Sequence, residues 1–328
     1  MEKEQVIIIG GGPCGLAAAI ALRDYGLDPL VIEKGNITNA IYHYPTHQTF
    51  FSSSEKLEIG GVPFIINERK PNRLQALAYY REVVNRKQLR IHTYETVGKV
   101  DKRQDGSFAV HTVRQRDGKK IRYQAGYVVI ATGYYDNPNK LDVPGADNAK
   151  VFHYFKEGHP YHDTDVAVLG GKNSAVDAAL ELEKTGARVT VLYRGEEYSS
   201  SIKPWILPEF EALVRNGKVE MEFEAQVEEI RSDSLVYVSA GKRKTIPNDF
   251  VFAMIGYHPD HSFLMKIGVG IEKETGRPLF NEETMETNVT GVFIAGVIAA
   301  GNNANEIFIE NGRFHGEAIA QEIAKRMN

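Results

Sequence analysis

The chain has 328 residues, of which 42% are hydrophobic and 25% are charged, and its formal net charge is −4. This composition excludes general disorder, and the length suits two compact domains of roughly 150 residues each better than one. The slightly acidic balance argues against a nucleic-acid partner, while the single cysteine excludes an internal disulfide, a CxxC redox pair and a cysteine-based zinc or iron–sulfur site. No apolar stretch approaches the roughly 20 residues that span a bilayer, and the N-terminus shows no signal-peptide pattern. We therefore expect a cytoplasmic protein with no membrane partner.

The chain begins with a βαβ pattern. The apolar run VIIIG, from Val6 to Gly10, predicts a buried parallel strand. The segment from Pro13 to Gly26 predicts a helix, with proline in its first turn and glycine at its C-terminal cap. The segment DPLVIEK then predicts a second strand that ends at Glu33.

The turn between this strand and this helix has the spacing G-x-G-x-x-G. Gly10 permits a tight turn, Gly12 lets the backbone approach a pyrophosphate, and Gly15 lets the helix pack against the strand. Glu33 is placed to accept hydrogen bonds from a ribose. The combination of strand, glycines, helix and acid predicts a dinucleotide site; the alternative is an ordinary glycine turn of an α/β fold.

The same supersecondary pattern returns about 160 residues later, from Asp165 to Arg194. Its turn reads GGKNSA, so Lys172 stands where the second glycine is expected and Ala175 replaces the third. Lys172 either meets phosphate charge or points to solvent. The repeat predicts a second dinucleotide-binding domain.

Aligning the two units places Tyr193 opposite Glu33 and Arg194 opposite Lys34. The acid that would bind a ribose 2′-hydroxyl is therefore absent from the second unit, and an arginine stands beside its place. Arginine suits the additional phosphate of NADP, since its planar fork binds phosphate well. The alternative for Arg194 is a solvated surface charge.

The remaining segments complete an α/β architecture. Alternating residues from His92 to Gly133 predict a β meander that ends in the apolar strand YVVIATG, and residues 249–260 have a similar strand-to-turn character. The chain closes with a strand, a polar glycine and asparagine loop, and a helix. Two nucleotide sites on one chain indicate electron transfer from a nicotinamide to a retained cofactor, for which a flavin dinucleotide is the natural choice.

These pieces together resemble the two-dinucleotide-domain flavoproteins, and within them the thioredoxin-reductase-like group. The matching stretches are GGGPCG with VIEK, VVIATG, VAVLGGKNSA with VLYR, FAMIG and GVFIAG. The resemblance implies a Rossmann-like FAD domain formed by residues 1–137 and 256–328. It also implies a Rossmann-like NADPH domain, residues 138–255, inserted into the FAD domain.

Two departures from true thioredoxin reductases stand out. Their NADPH domain carries a CxxC that this chain lacks, which excludes dithiol exchange with thioredoxin. Their final flavin motif has an aspartate where this chain has Val297. We expect the contact with the flavin ribityl to come from Glu306 and Ile307, at the start of the last helix.

A closer resemblance, over essentially the full length, is to the bacillithiol disulfide reductases. It is carried by GGGPCG, IYHYPTHQTFFSSSEKLEIGG and GNNANEIFIENGRFHG, without a CxxC. It implies NADPH-driven reduction, through FAD, of a small-molecule disulfide, with Cys14 as the redox thiol and a homo-oligomer, either a dimer or a tetramer. The segment from Tyr42 to Ser54 is expected to run along the flavin; the alternative is a surface loop.

The site residues that follow form two sets, and no metal site is expected. The FAD set is Gly10, Gly12, Pro13, Cys14, Gly15, Glu33, Lys34, Tyr42, Thr49, Thr132, Gly133, Gly296, Glu306 and Ile307. The NADPH set is Gly170, Lys172, Asn173, Ser174, Ala175, Arg194, Lys203 and Gly256.

Cys14 has two interpretations. A thiol in the first turn of a helix is activated by the helix dipole, whereas a pyrophosphate at the same helix end opposes the thiolate, so the sequence leaves the sign of the pKa shift open. Alternatively, Cys14 is a small packing residue. Two other functions also remain: a ferredoxin–NADP reductase of the same fold, and a regulatory flavoprotein that senses redox state without significant turnover.

Overall fold

A computed structural model describes residues 2–303 and 305–327. The chain divides into two compact units. The first comprises Met1–Tyr44, Gln48–Asn137 and Tyr257–Asn328, and the second comprises Pro45–His47 and Pro138–Gly256. The division differs from the expected domain boundaries by one residue at 256, and by the short segment Pro45–His47, which the sequence placed in the first domain.

The first unit holds a mixed sheet flanked by helices. Its elements are β1 (Glu2–Ile9), α1 (Pro13–Asp24), β2 (Leu30–Ile32), α2 (Asn39–Tyr42), α3 (Ser54–Leu57), α4 (Arg73–Lys87), β3 (Arg90–His92), β4 (Glu95–Lys102), β5 (Phe108–Arg114), β6 (Lys120–Ile130), α7 (His261–Ile267), β15 (Val292–Ile294), α8 (Ile309–Gly312) and α9 (His315–Met327).

The sheet of the first unit has the strand order β3-β2-β1-β6-β5-β4, with β15 also paired to β6. Strands β3, β2, β1, β6 and β15 are parallel, whereas β4, β5 and β6 form the expected antiparallel meander. Residues 6–9 of β1 are buried because helices cover the parallel part of the sheet. Helix α1 is buried from Gly15 to Leu22, since it packs against both the sheet and α9.

The second unit repeats the parallel arrangement. Its elements are β7 (Val151–Phe152), β8 (Asp165–Leu169), α5 (Asn173–Lys184), β9 (Arg188–Leu192), α6 (Leu207–Arg215), β10 (Val219–Glu222), β11 (Gln226–Ile230), β12 (Ser234–Ser239), β13 (Lys242–Pro247) and β14 (Phe250–Ala253). Strands β10-β9-β8-β14-β7 form a parallel sheet, and β11-β12-β13 form an antiparallel sheet that the sequence analysis did not anticipate.

Candidate functional site

The first glycine turn joins β1 to α1, and close backbone contacts require its glycines. Gly10 has φ +112°, and a Cβ added there would lie 2.4 Å from the carbonyl oxygen of Ala131. A Cβ on Gly15 would lie 2.1 Å from the carbonyl oxygen of Gly10. The turn therefore packs tightly against the end of β6, and neither position has space for a side chain.

Gly12 has the opposite environment. It is the N-cap of α1, no side chain caps the helix there, and a Cβ added to it would meet nothing within 4 Å. Pro13 follows in the first turn, where its missing N–H removes no helical hydrogen bond. The N-terminus of α1 thus faces open space with free N–H groups, which favours a bound phosphate.

Glu33 follows β2 directly and holds the glycine turn in place. Its side chain is only 7% exposed, and its two carboxylate oxygens accept hydrogen bonds from the N–H groups of Gly11 and Gly35, each at 2.7 Å. Burial raises the pKa of Glu33, and the two N–H groups partly offset this rise. The carboxylate therefore lies at the edge of the sheet where a ribose is expected.

A cavity of about 620 Å³ opens beyond Glu33. Lys34 lines it and pairs with Asp136 at 2.9 Å, and Tyr42, which is half-exposed, also lines it. Thr49 lies in an isolated antiparallel bridge with Asn72 and does not line this cavity.

Thr132 gives a further sign of a ligand. Its hydroxyl is buried and has no hydrogen-bond partner within the described residues. It follows β6 and precedes Gly133, which has φ +68°. An unpaired buried hydroxyl beside an open glycine turn fits a bound dinucleotide, because native proteins rarely leave such groups unsatisfied.

Cys14 lies where α1 meets two glycines from the end of the chain. A Cβ on Gly312 would lie 3.0 Å from the Cys14 sulfur, and a Cβ on Gly296 would lie 2.8 Å from the Cys14 Cβ. The residue keeps partial exposure. Burial of the sulfur, and secondly the negative charge of Glu310, raise the pKa of Cys14 to about 12. The sequence left open whether the pKa of Cys14 is raised or lowered. The structure shows that it is raised, and desolvation is the main cause.

Tyrosines border the same region. The rings of Tyr44 and Tyr135 lie 5.1 Å apart, and those of Tyr135 and Tyr257 lie 4.7 Å apart. Burial, and secondly the neighbouring ionisable groups Tyr134, Tyr257 and Cys14, raise the pKa of Tyr44 above its usual range. The Tyr44 phenol is therefore protonated at neutral pH and can donate a hydrogen bond, whereas the Tyr135 hydroxyl already donates to the carbonyl of His43 at 3.2 Å.

The loop after β15 is held by a histidine. The N–H of Gly296 donates to Nδ1 of His315 at 3.2 Å, and Val297 begins a 3₁₀ turn. The expectation that Glu306 and Ile307 open the last helix is wrong: they precede the short helix α8, and α9 begins at His315. The Glu306 carboxylate is already engaged by Arg277 and Asn303.

The second glycine turn repeats the geometry of the first. Gly170 has φ +133°, and a Cβ there would lie 2.4 Å from the carbonyl oxygen of Met254. Ala175 is fully buried at the position that corresponds to Gly15. The ring of Tyr193 lies over Gly171, as Glu33 lies beside Gly11 in the first unit.

The polar residues of this second turn divide by exposure. Asn173 is used within the unit, because its amide donates to the carbonyl of Ser201 and accepts from the N–H of Lys203. Lys172, Ser174 and Arg194 are exposed. Within residues 2–303 and 305–327, Arg194 has no ion-pair or hydrogen-bond partner, so its guanidinium is available for a phosphate.

Gly256 lies at the end of the second unit rather than in its glycine turn. It has φ +94°, and its carbonyl oxygen accepts a hydrogen bond from the N–H of Asn139. In the part of the chain that the structure describes, no group of three His, Cys, Asp or Glu side chains is arranged to hold a metal ion. The described helices include none that combines the length and the apolar character needed to cross a bilayer.

Comparison with known proteins shows which family has this sequence and architecture. Residues 7–296 match the model of the pyridine nucleotide-disulphide oxidoreductase family. A curated relative from Bacillus subtilis (strain 168), described as bacilliredoxin reductase Bdr, is 69% identical over 100% of both chains. The chain belongs to the pyridine nucleotide-disulphide oxidoreductase family.

The chain is also similar to solved structures that are described as bacillithiol disulfide reductase Bdr (YpdA). The structure from Bacillus cereus is 70% identical, covers 99% of this chain and 100% of its own, and has a TM-score of 0.98. The structure from Staphylococcus aureus is 57% identical, covers 100% of both chains, and has a TM-score of 0.95.

Family membership makes the protein a flavoprotein disulfide reductase that uses FAD and NAD(P)H. The two glycine turns, the buried acid and the unpaired Thr132 hydroxyl fit these cofactors. The bound flavin supplies two-electron transfer from a nicotinamide to a disulfide. More distant thioredoxin reductase structures, at 20% to 22% identity, share the fold.

Sequence reasoning missed several residues of this region. Ser52, Glu310 and His315 lie in stretches that carried the resemblance but were not selected. No local motif marks them, because they come together only when α8 packs against α1 and α3, and α9 packs against α1.

Proposed function

We propose that the protein uses NADPH to reduce bacillithiol disulfide, with the electrons passing through FAD and then Cys14. The supporting observation is the full-length identity of 69% to 70% with Bdr proteins, of which solved examples are described as bacillithiol disulfide reductases. Because Cys14 is the chain's single thiol, it is the sole protein group that could form a mixed disulfide with the substrate. In the first unit, the flavin dinucleotide would be held by Gly10 to Gly15, Glu33, Thr132 and Gly296.

The packing of Cys14 sets the conditions under which it could react. Its sulfur lies beside Gly312 and Gly296, so the loop after β15 and the short helix α8 meet at the thiol. A side chain at either glycine would crowd the Cys14 side chain, so both positions must stay small for the thiol to be accommodated. The raised pKa means that few thiolates exist at neutral pH in the absence of substrate, so a bound substrate must favour the thiolate before attack.

A panel of acceptors tests this proposal against its alternatives. The purified flavoprotein is mixed with NADPH and given bacillithiol disulfide, other small disulfides, an oxidised bacilliredoxin or ferredoxin. We expect steady NADPH oxidation with bacillithiol disulfide and two thiols released per NADPH. Turnover restricted to ferredoxin would favour the electron transferase described for relatives at 25% to 27% identity, and no turnover would favour a sensor.

The preference for NADPH over NADH is assigned to Arg194. This exposed guanidinium follows Tyr193, which stands where the first unit has the ribose-binding acid. Because the charge-assisted contact with the 2′-phosphate would be lost, Arg194→Ala should raise the KM for NADPH by about tenfold to a hundredfold. The KM for NADH should stay unchanged. Stopped-flow flavin reduction with each nucleotide checks this, and an equal loss with both nucleotides would contradict the assignment.

We also propose that the protein works in the cytoplasm as a homo-oligomer, either a dimer or a tetramer. This proposal is supported by the resemblance to flavoproteins that are commonly at least dimeric. Light scattering coupled to size-exclusion chromatography measures the molar mass directly. A mass near 36.6 kDa, that of one chain, would contradict it.

A further inference from the structure

A buried arginine begins helix α4. Arg73 is 7% exposed, and in the part of the chain that the structure describes it is the one lysine or arginine that is buried. Its guanidinium nitrogens Nε and Nη2 both donate to the carbonyl oxygen of Tyr42, and the Nε bond is 3.1 Å long. Because burial of a charged group is costly, this arginine should do something that a neutral side chain could not.

The same guanidinium supports the ring of Tyr42, the last residue of α2. The central carbon Cζ of Arg73 lies over the ring, 5.3 Å from its centroid, and the ring of His43 meets the tyrosine edge-on at 5.0 Å. Arg73 therefore fixes both the backbone and the ring of Tyr42. Tyr42 is nevertheless 52% exposed, and it lines the cavity of about 620 Å³ beyond Glu33. Since its carbonyl is occupied, the ring is the part of Tyr42 left for a ligand.

A second half-exposed tyrosine lines this cavity. Tyr94 has φ +55°, a left-handed backbone conformation that is strained for a residue other than glycine. Two backbone hydrogen bonds of 2.8 Å hold it there: its N–H donates to the carbonyl of Gly35, and its carbonyl accepts from the N–H of Gln115. The cavity thus has two tyrosines in its wall, and the backbone of each is held in place. Such a wall suits a flat aromatic ligand.

The position of the cavity indicates which part of a dinucleotide reaches it. The N-terminus of α1 favours the phosphates, and Glu33 is placed to bind the adjoining ribose. The base on that ribose must then lie beyond Glu33, where Lys34 and Gly35 line the cavity. The ligand group that fits these two tyrosines is therefore a purine base.

We propose that Arg73 is a positioning residue for the cofactor, because it holds the Tyr42 ring as a stacking surface for the adenine of FAD. This inference rests on the proposed assignment of the first unit to FAD. Arg73 acts through Tyr42 and does not itself touch the cofactor. Stacking of a base on an aromatic ring raises affinity by about tenfold to a hundredfold. The gain is smaller for a ring that is free to rotate, since its immobilisation costs conformational entropy.

Binding to full-length protein that has been stripped of its flavin tests the proposal. The protein is titrated with FAD, and with ADP and FMN as competitors, because ADP carries the adenosine half of FAD and FMN carries the flavin half. Arg73→Met keeps a buried stem but removes the charge and the donors. It should weaken binding of FAD and ADP by about tenfold and leave FMN unchanged. An equal loss for ADP and FMN would indicate general damage to the unit and overturn the positioning role.

A double-mutant cycle shows whether Arg73 acts through Tyr42. Tyr42→Leu removes the ring and should weaken FAD and ADP binding by about tenfold or more, whereas Tyr42→Phe keeps the ring and should retain wild-type affinity. Adding Arg73→Met to Tyr42→Leu should cost less than about twofold more. Additive losses in the double variant would overturn the proposal, because Arg73 would then act independently of the ring.

Two matched controls remove similar side chains elsewhere in the first unit. Arg86→Met removes an exposed arginine from α4, and Tyr25→Leu removes an exposed tyrosine that does not line the cavity. Both variants should bind ADP with wild-type affinity. Should Arg73→Met fail to fold, Tyr42→Leu decides: wild-type affinity for FAD and ADP in that variant overturns the proposal.

Catalysis separates this inference from the proposed function. Normal FAD and ADP affinities in both Arg73→Met and Tyr42→Leu would overturn the inference, while reduction of bacillithiol disulfide by the wild-type protein would stand. Weaker NADPH binding with unchanged FAD binding would overturn the inference together with the assignment of the first unit to FAD. Failure of the wild-type holoenzyme to reduce bacillithiol disulfide, with the adenosine-selective losses observed, would overturn the proposed function alone.

Discussion

Replacing Cys14 with alanine is expected to lower bacillithiol disulfide reduction by at least about a hundredfold while FAD stays bound. The physical reason is that the chain contains no second thiol to form the mixed disulfide. NADPH should still reduce the flavin, because that step takes place before the disulfide is engaged. The measurement pairs steady-state disulfide reduction with stopped-flow flavin reduction on the same preparation.

The packing interpretation of Cys14 predicts a different result. If the thiol only fills space beside Gly296 and Gly312, Cys14→Ala would cost about 1 kcal/mol of the free energy of unfolding and leave turnover unchanged. Cys14→Ser keeps nearly the same volume and serves as the matched control for packing. Full turnover by either variant would contradict a redox role for Cys14.

Substitutions in the two glycine turns are also expected to have large effects. The two turns should affect different functions, one FAD binding and the other the reaction with NADPH. Gly10→Ala should abolish FAD binding, because alanine at φ +112° is strained and its Cβ would meet the Ala131 carbonyl. Gly170→Ala has the matching conflict with the Met254 carbonyl and should abolish flavin reduction by NADPH, with FAD retained. Each substitution should cost about 3 kcal/mol or more of local stability.

Flavin absorbance of the purified variants and stopped-flow reduction check both expectations. Gly98→Ala is the matched control, since a Cβ at this position in β4 would meet nothing within 4 Å. Loss of FAD from Gly170→Ala, with FAD retained by Gly10→Ala, would reverse the proposed assignment of the two units. Chemical reduction of Gly170→Ala with dithionite shows whether its flavin is still redox-active.

The sequence predicted the parts of the fold that have local patterns. The two βαβ units and the meander followed from apolar runs, glycine spacing and turn residues, and the structure has all three. The antiparallel sheet β11-β12-β13 was missed, because its alternation is interrupted by charged residues and a register shift between Val227 and Glu229. The position of Pro45–His47 in the second unit depends on long-range contacts that no local pattern encodes.

Some residues of the candidate site could likewise be predicted from local patterns, and others could not. Gly10, Gly15 and Glu33 were predictable, because the glycine spacing and the acid after the second strand mark all three positions within one βαβ unit, even though the carbonyl that Gly10 approaches belongs to Ala131 after β6. Glu310 and His315 were not, since α8 and α9 reach the N-terminus of α1 from the far end of the chain. The direction of the Cys14 pKa shift was equally out of reach. It arises mainly from desolvation by packed neighbours, whereas the sequence displayed only two opposing effects, the helix dipole and a pyrophosphate at the same helix end.

Catalysis through Cys14 requires that this residue carry a mixed disulfide with the substrate during turnover. The most direct test is intact-mass analysis of the holoenzyme, first reduced with NADPH, then exposed to excess bacillithiol disulfide and quenched in acid. We expect an added mass of one bacillithiol, located on Cys14 by peptide mapping, that disappears when more NADPH is supplied. Rapid reduction of bacillithiol disulfide with no adduct on Cys14 at any quench time would contradict it.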